Sequence, residues 1–523
     1  MLGLTMDYEL TVATILRRAE TLFGQKEIVS RRPDRSLERT TYADVCRRAR
    51  ALGSALRLER GDRVATLCWN HTEHLEAYLG VPITGGVLHT LNLRLHPDDL
   101  AWIASHAGDR VLIVDESLLP LADQFVPRTG IERVIVVGEQ YEALVAFGDP
   151  EAPLPELDED EAAAMCYTSG TTARPKGVLY SHRALVLHSL ASIATGVLGV
   201  GESDVVMPVV PMFHANAWGL PYTCALAGAT QVFPGPHLDP QTLLETLESE
   251  RVTITGGVPT IWFGILQLLD ADPGRYDLSR LRTMIVGGSA APRALIEGFE
   301  RRHGLNVCHA WGMTEMAPLG SVAVVPSDLA EADDEERFAF RATQGRPAPL
   351  VEIRARGDDG LVPWDGATMG ELEVRGAWIA SAYHDAPEAA DRWTDDGWFR
   401  TGDIVTIDPR GAITIQDRAK DVIKSGGEWI SSVALENALM AHPAVAEAAV
   451  IGIPDPQWQE RPLAAIVLRG EATADELRAF LANDFAKWQL PERFEFVDEI
   501  PKTAVGKFRK SALRERFATP AAI

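Results

Sequence analysis

Cysteine is scarce in this chain, and its cysteines lie far apart. The 523 residues contain five of them, without a CxxC pair or a spacing typical of metal ligands: Cys46, Cys68, Cys166, Cys224 and Cys308. An odd, scattered set argues against a disulfide-stabilised secreted scaffold and favours buried thiols in a reducing compartment. The first residues also lack a basic segment followed by an apolar one, so no secretory signal is recognisable. We therefore expect a cytoplasmic protein.

Basic residues are also few compared with acidic ones. Lys and Arg number 50 against 74 Asp and Glu, which gives a net charge of −24. Nucleic-acid binding needs a basic face that displaces counterions, so this balance predicts no nucleic-acid partner. It also disfavours broad attraction to an anionic membrane, although a transient contact stays open. A local basic groove for a phosphorylated ligand is still compatible with it.

Long apolar helices without interruption are missing as well. The stretch from 205 to 238 contains no Asp, Glu, Lys or Arg. Prolines interrupt it at Pro208, Pro211, Pro221, Pro234 and Pro236, which excludes a membrane-spanning helix. We expect a buried segment that lines a ligand site.

The elements that are present alternate between helix and strand patterns. A hydrophobic content of 46% over this length predicts two or three domains with large cores. Alternating helices and short apolar strands in the first half indicate an α/β fold with largely parallel sheets. The segment 345–415 changes to short strands and turns, and helix–strand alternation returns after 417. The clearest predictions are helices at 43–58, 433–442 and 474–486 and strands at 63–68, 111–114, 133–137, 205–210, 283–288 and 446–453.

Hydroxyls, glycines and one lysine are concentrated in residues 168–177, directly after an apolar run at 162–167. A strand that ends in such a loop can present backbone N–H groups, hydroxyls and an ammonium to a polyphosphate. The glycine–lysine–serine/threonine order of a Walker A loop is missing. A flexible surface loop is the alternative on these residues alone.

Five ordered motifs resemble those of the adenylate-forming superfamily, which contains acyl-CoA synthetases, luciferases and peptide-synthetase adenylation domains. They are the loop 167–177, WGMTE at 311–315, WFRTGD at 398–403, DRAKD at 417–421 and PKTAVGK at 501–507. Within it, PMFHANAW at 211–218 and GGEWISS at 426–432 resemble the branch of medium- and long-chain fatty acyl-CoA ligases.

This resemblance implies both a fold and a reaction. The fold is α/β, with a large N-terminal domain at 1–417, built of two α/β subdomains plus a β-rich subdomain, and a small mobile α+β domain at 418–523. The reaction is ATP-dependent activation of a medium- to long-chain fatty acid as acyl-AMP, with release of pyrophosphate, followed by transfer to CoA. ATP, Mg²⁺ and CoA are the implied cofactors and co-substrates, and a homodimer is the expected assembly.

The resemblance also implies the roles of individual residues around the nucleotide. Thr171 and Glu315 would hold Mg²⁺, which suits a hard cation that prefers oxygen ligands, and Thr314 would contact the α-phosphate. Lys507 would neutralise the charge that develops during adenylation. The β- and γ-phosphates would be held by Thr168, Ser169, Gly170, Thr171, Thr172 and Lys176, while Ala173 replaces the usual glycine. The nucleoside would contact Gly288, His309, Ala310, Trp311, Asp403 and Arg418, with Lys420 at the interdomain bend.

A second group of residues concerns the acid and CoA. His214 would lie near the acyl carboxylate, Ala215 beside it, and Trp218 would resemble a tryptophan that gates the acyl tunnel. For the two tryptophans, Trp218 and Trp311, packing in the core is the alternative role, and His214 could equally be a buried, hydrogen-bonded histidine. CoA would be supported by Lys424, Gly426, Gly427 and Trp429.

Other functions stay open at this point. An aryl, steroid-side-chain or sulfur-containing acid could replace the fatty acid as the substrate of a CoA ligase. A luciferase-type monooxygenase shares the adenylation step, and a nucleotide-binding scaffold without activity is the alternative outside enzymes. The uncharged stretch 205–238 favours an apolar acid.

Overall fold

The computed structural model describes residues 3–168, 174–425, 428–502 and 508–517. Its helices span Val12–Phe23, Tyr42–Leu56, Thr72–Gly80, Pro97–Ala107, Leu119–Phe125, Glu139–Phe147, His182–Ile193, Leu220–Ala227, Pro240–Ser249, Pro259–Ala271, Arg293–His303, Asp334–Ala342, Ser432–Ala441, Ala474–Leu481 and Lys510–Phe517. The strands are β1 (Glu27–Arg31), β2 (Leu37–Thr41), β3 (Arg63–Leu67), β4 (Val87–Thr90), β5 (Asp109–Val114), β6 (Arg133–Val136), β7 (Ala162–Tyr167), β8 (Gly177–Ser181), β9 (Val205–Pro208), β10 (Thr230–Phe233), β11 (Ile254–Gly257), β12 (Thr283–Val286), β13 (Val307–Gly312), β14 (Leu319–Val322), β15 (Arg346–Pro347), β16 (Val351–Gly357), β17 (Gly360–Leu361), β18 (Gly370–Gly376), β19 (Phe399–Ile407), β20 (Ile413–Arg418), β21 (Ile423–Ser425), β22 (Glu428–Ile430), β23 (Val445–Asp455), β24 (Gln459–Leu468) and β25 (Arg493–Phe496).

Two largely parallel sheets form the α/β part of the molecule. One has the order β6-β5-β3-β4-β7-β8, and its first five strands are parallel. The other has the order β15-β14-β13-β12-β11-β9-β10-β1-β2, with a parallel centre and antiparallel edges. Loops that follow parallel strands meet at one edge of the sheet, which is where α/β proteins bind ligands. The ends of β12 and β13 therefore lie together at one edge of the second sheet, while β7 ends at the corresponding edge of the first.

Two further sheets complete the fold. An antiparallel sheet of order β17-β16-β18-β19-β20 forms the β-rich part, and β22-β21-β24-β23 with β25 forms the core of the C-terminal α+β domain. The helices Ser432–Ala441, Ala474–Leu481 and Lys510–Phe517 belong to that last domain. The predicted fold class is confirmed: a large N-terminal domain of α/β and β-rich parts precedes a smaller α+β domain.

The element boundaries differ from the predictions for local reasons. The helix predicted at 43–58 begins at Tyr42, because the Thr41 side chain accepts a hydrogen bond from the Asp44 N–H, and it ends before Arg57, whose backbone is left-handed. The helix predicted at 474–486 starts with a Thr473/Glu476 capping box but ends at Leu481. The following Asn483 and Asp484 are poor helix formers that favour turns.

The uncharged stretch forms buried structure around the sheet. It contains β9, the buried helix Leu220–Ala227 and β10, joined by a short turn at Ala215–Trp218. The strand predicted at 205–210 ends at Pro208, since proline cannot donate the next ladder hydrogen bond. Within the described ranges, no helix is long and apolar enough to cross a bilayer.

Candidate active site

A cavity of about 470 Å³ opens where the ends of β7, β12 and β13 face the C-terminal domain. Side chains from all parts of the fold line it. Of the residues predicted from the sequence, those that line it are Thr168, Lys176, His214, Ala215, Trp218, Gly288, Ala310, Trp311, Thr314, Glu315, Arg418 and Lys420. Residues that lie far apart in the chain are thus collected around one space.

The loop that follows β7 is closed at its base. The Thr168 N–H donates to the Lys176 carbonyl over 2.9 Å, and the Lys176 N–H donates to Thr168 Oγ1 over 3.0 Å. These bonds hold the two ends of the loop together and direct the lysine ammonium toward the cavity, 5.5 Å above the ring of Tyr383. Four predicted phosphate contacts lie outside the described residues: Ser169, Gly170, Thr171 and Thr172.

Glu315 lies in the single turn Thr314–Met316 that follows β13. It is buried, yet it lines the cavity, and its carboxylate accepts a hydrogen bond from the Tyr383 hydroxyl. Burial and the charge of Glu315 raise the pKa of Tyr383 well above its usual range, so this phenol stays a donor. The Thr314 carbonyl accepts from the Tyr180 hydroxyl over 2.6 Å. A buried carboxylate that opens onto the cavity fits the oxygen ligand that Mg²⁺ requires.

Trp311 and Asp403 form a connected pair on another wall. The indole N–H of Trp311 donates to Asp403 Oδ2 over 3.1 Å, and the Arg418 guanidinium forms an ion pair with Oδ1 at 2.8 Å. Asp403 is fully buried behind these two side chains, so both of its oxygens already face protein groups. For Asp403 to contact the ribose as predicted, Arg418 must therefore either move away from Asp403 Oδ1 or share this oxygen with a ribose hydroxyl.

The remaining nucleoside positions differ in exposure. Gly288 has a φ of +79°, which a side chain would strain, and it lines the cavity beside Ala310. His309 is buried behind this wall, where its Nε2 accepts from the Ala291 N–H over 3.3 Å. Burial lowers the pKa of His309 to about 4, so the ring is neutral. The structure thus gives His309 a supporting position, away from the cavity surface.

The turn that presents the predicted acid-binding residues is left-handed. Ala215, Asn216, Ala217 and Trp218 have φ values of 42°, 55°, 49° and 58°. Left-handed backbone costs about 1–2 kcal/mol for each residue that is not glycine, so packing around the turn must offset several kcal/mol.

Glycines make room for the tryptophan that this turn presents. Trp218 is half-buried and lines the cavity. Its ring lies against Gly256 and Gly287, where an added Cβ would come within 3.5 and 3.2 Å of ring atoms. Trp218 therefore forms a wall of the cavity and packs on its reverse side, whereas its role in gating an acyl tunnel stays a prediction.

The C-terminal domain presents its last helix to the cavity. Phe508, Arg509, Lys510, Ser511 and Arg514 line it. Lys507, Gly426 and Gly427 lie outside the described residues, although Lys507 directly precedes Phe508. Lys424 and Trp429 face each other across the β21–β22 hairpin and do not line the cavity. In this arrangement the C-terminal segment, and not the hairpin predicted to bind CoA, faces Glu315.

Several residues that line the cavity were not found from the sequence, and two of them, Tyr383 and Lys510, make specific polar contacts. Tyr383 contacts both Glu315 and Lys176. Lys510 forms an ion pair with Glu436 at 2.7 Å and donates to Ser432 Oγ over 2.6 Å. A lysine in a C-terminal helix and a tyrosine in an irregular segment carry no local signal, because their partners are distant in the chain.

A Cys-His-Asp group lies at a different place, at the ends of β3 and β5. Potential ligand atoms of Cys68, His71 and Asp115 come within 4.8 Å of one another, although the cysteine spacing did not predict it. His71 is already held between Asp115 and Glu73, at 2.9 Å from each, and the thiol of Cys68 donates to the Ile113 carbonyl. These contacts are those of a buried ion-pair chain that joins the strands.

Comparison with known proteins places this cavity in context. The model of the family described as AMP-binding enzyme matches residues 16–384. The model of the family described as AMP-binding enzyme C-terminal domain matches residues 434–507. The chain is 50% identical to a long-chain-fatty-acid–CoA ligase of Thermus thermophilus, over 98% of this chain and 96% of that protein. It is 44% identical to a 3-methylmercaptopropionyl-CoA ligase of Ruegeria lacuscaerulensis, over 99% of both. A crystal structure of an anthranilate CoA ligase in complex with anthranoyl-AMP superposes with a TM-score of 0.86 at 26% identity, over 98% of both chains.

Proposed function

Because the chain belongs to the AMP-binding enzyme family, we propose that it is an ATP-dependent acyl-CoA ligase for medium- to long-chain fatty acids. It converts the acid and ATP into an acyl-adenylate and pyrophosphate, and then transfers the acyl group to the thiol of CoA. A free carboxylate is a poor acyl donor because its leaving group would be oxide. Adenylation replaces that leaving group with a phosphate monoester.

One observation carries this proposal: charged and large apolar residues line the same cavity. Lys176, Glu315 and Arg418 supply charged groups to its lining, and Trp218, Leu198 and Ile285 supply apolar ones. The charged groups suit a triphosphate and its cation, whereas the apolar residues, which include Trp218 of the uncharged stretch, suit a hydrocarbon chain. An amino-acid substrate would need an acidic partner for its ammonium, and the segment 205–238 supplies no carboxylate.

The first half-reaction brings an anionic carboxylate against an anionic triphosphate, so positioning and charge neutralisation are the main requirements. Lys176 binds the β- and γ-phosphates, together with the hydroxyls and N–H groups of the loop it closes. Glu315 and Thr171 would hold Mg²⁺, which when bound neutralises phosphate charge. Lys507, next to the described Phe508, stabilises the charge that develops at the carboxylate and the α-phosphate. Trp311 and Arg418 orient the nucleoside.

The second half-reaction belongs to the same proposal. Lys424, Gly426, Gly427 and Trp429 contact CoA after the C-terminal domain has rotated. We place the boundary of the two domains at 417/418, near the end of β20, which is the last strand of the β-rich sheet along the chain. The rotation then takes place at residues 418–420. A cytoplasmic homodimer completes the proposal, and light scattering tests its assembly.

A second candidate is a CoA ligase for a short sulfur-containing acid. The 44% identity to the 3-methylmercaptopropionyl-CoA ligase favours it. Aryl acids are a weaker candidate, supported by the anthranilate ligase at 26% identity.

Pyrophosphate release and thioester formation with a panel of acids test the proposal. We expect octanoate, laurate and palmitate to be better substrates than 3-methylthiopropionate or benzoate. Lys507→Ala should abolish most adenylation while premade acyl-adenylate still reacts with CoA. Lys487→Ala, at an exposed lysine of the same domain, is the matched control. Absence of pyrophosphate with every acid would contradict the proposed function, and a preference for the sulfur-containing acid would select the second candidate.

A further inference from the structure

The segment 380–384 joins two walls of the cavity through backbone bonds. At its start, the Ala380 N–H donates to the Glu315 carbonyl over 2.8 Å. At its end, the His384 N–H donates to the Gly177 carbonyl over 2.8 Å. Gly177 begins β8, directly after Lys176, so the segment is attached both to the turn that carries Glu315 and to the base of the phosphate loop.

Tyr383 lies within this segment. Its hydroxyl contacts an anionic side chain, and the face of its ring contacts a cationic one. Its hydroxyl donates to Glu315 Oε1, and its ring lies under the Lys176 ammonium at 5.5 Å. The ring is itself held edge-on by Trp393, with centroids 5.2 Å apart. The Trp393 indole N–H donates to the Ala380 carbonyl over 2.7 Å, which ties the supporting ring to the same segment.

This arrangement keeps the two charges apart. Within the described residues, Lys176 and Glu315 form no ion pair with each other, although both line one cavity. A direct pair would occupy the groups that the nucleotide and its cation require. A phenol can serve both, because its hydroxyl donates to an anion while its π face attracts a cation.

We propose that Tyr383 is a positioning residue for nucleotide binding: its hydroxyl holds Glu315 in the orientation that accepts Mg²⁺, and its ring holds Lys176 toward the phosphates. This inference rests on the proposed function only in taking ATP and Mg²⁺ as the ligands. The two contacts are separable by mutation, since phenylalanine keeps the ring without the donor and leucine keeps neither.

The test is the dissociation constant of ATP, measured by calorimetry in EDTA and in Mg²⁺, without any acid. In Tyr383→Phe we expect the metal-free affinity to stay close to that of the wild type. The gain in affinity on adding Mg²⁺ should fall roughly tenfold, as expected for a lost hydrogen bond to a charged group. Tyr383→Leu should in addition weaken metal-free binding by about threefold or more, since the lysine loses its ring.

A double-mutant cycle identifies the partner of the hydroxyl. Glu315→Gln should reduce the Mg²⁺ gain, and Tyr383→Phe added to it should reduce that gain no further. Tyr276→Phe, in the loop after the helix Pro259–Ala271, is the matched control and should bind as the wild type does. Para-fluorophenylalanine at position 383 keeps the shape of tyrosine without the donor, and it replaces Tyr383→Phe if that variant does not fold.

The inference is overturned if Tyr383→Phe keeps the full Mg²⁺ gain, or if the effects of Tyr383→Phe and Glu315→Gln simply add. Its failure is distinct from failure of the proposed function. A protein that binds ATP as described but releases no pyrophosphate with any acid would refute the function and leave the role of Tyr383 standing.

Discussion

The ion pair between Lys510 and Glu436 leads to a prediction that combines stability and pH. The ammonium lies 2.7 Å from Glu436 Oε1 and donates to Ser432 Oγ over 2.6 Å, and the two charged side chains are only 11% and 9% exposed. Asp417 is a second buried carboxylate nearby, whose charge acts on Lys510. One cation therefore serves two buried carboxylates, one on the helix Ser432–Ala441 and one near the end of β20.

Replacing Lys510 by methionine should cost about 3–5 kcal/mol, which is the usual cost of removing one partner from a buried ion pair. Methionine fills most of the space of the lysine stem, so lost packing contributes little. Glu436 keeps the hydrogen bond that the Val450 N–H donates over 2.7 Å, but its charge has no counter-ion. A double variant, Lys510→Met with Glu436→Gln, removes the uncompensated charge and should recover a large part of the loss.

The loss should depend on pH in a definite direction. Burial raises the pKa of Glu436 and of Asp417 above their ordinary values, and removal of Lys510 raises both further. A carboxyl whose folded pKa exceeds its unfolded pKa binds protons more tightly when folded, so stability decreases as pH rises through that window. The deficit of Lys510→Met should therefore be small at about pH 4–5, near the unfolded values, and complete at about pH 8.

Hydrogen exchange of the amides in Val445–Asp455, which includes the Val450 N–H, measures this local stability. The wild type, Lys510→Met, the double variant and the exposed control Lys487→Met are compared at both pH values. An equal deficit at the two pH values would refute the electrostatic reasoning. So would a double variant less stable than Lys510→Met.

Three other changes test residues in or behind the cavity wall. Asp403→Asn removes the carboxylate that Arg418 and Trp311 contact, so calorimetry should find ATP bound about tenfold more weakly, and unchanged affinity would argue against a nucleoside role. Trp218→Ala removes a wall, so kcat/KM should shift from octanoate toward palmitate, and a parallel loss for both acids would indicate packing alone. Gly219→Ala places a Cβ 2.5 Å from the His188 ring at a φ of +72°, so thermal unfolding should show a loss of about 1–3 kcal/mol; an unchanged Tm would mean that the turn adjusts freely.

Features that depend on neighbouring residues could be predicted from the sequence. Short continuous apolar runs, separated by helix patterns, predicted the parallel sheets. A strand that is buried on both faces of a sheet needs such a continuous apolar segment. Hydroxyls and glycines beside Lys176 predicted a loop after β7, and Glu315 followed the strand β13 as its motif suggested. The ends of helices were less predictable: the helix after Thr473 stops at Leu481, where weak helix formers and tertiary packing compete.

The order of the motifs along the chain was enough to indicate adenylation chemistry, since a phosphate loop, an acidic turn and a C-terminal lysine are each recognisable from adjacent residues. Their meeting around one cavity was decided only by the tertiary structure. Tyr383 shares no pattern with Glu315, from which it is 68 residues distant, yet a hydrogen bond joins them. The ring presented by the left-handed turn at Ala215–Trp218 also packs against Gly256 and Gly287, which belong to other strands or their loops. Such contacts depend on how separate strands are arranged in space, and local propensity carries no information about that arrangement.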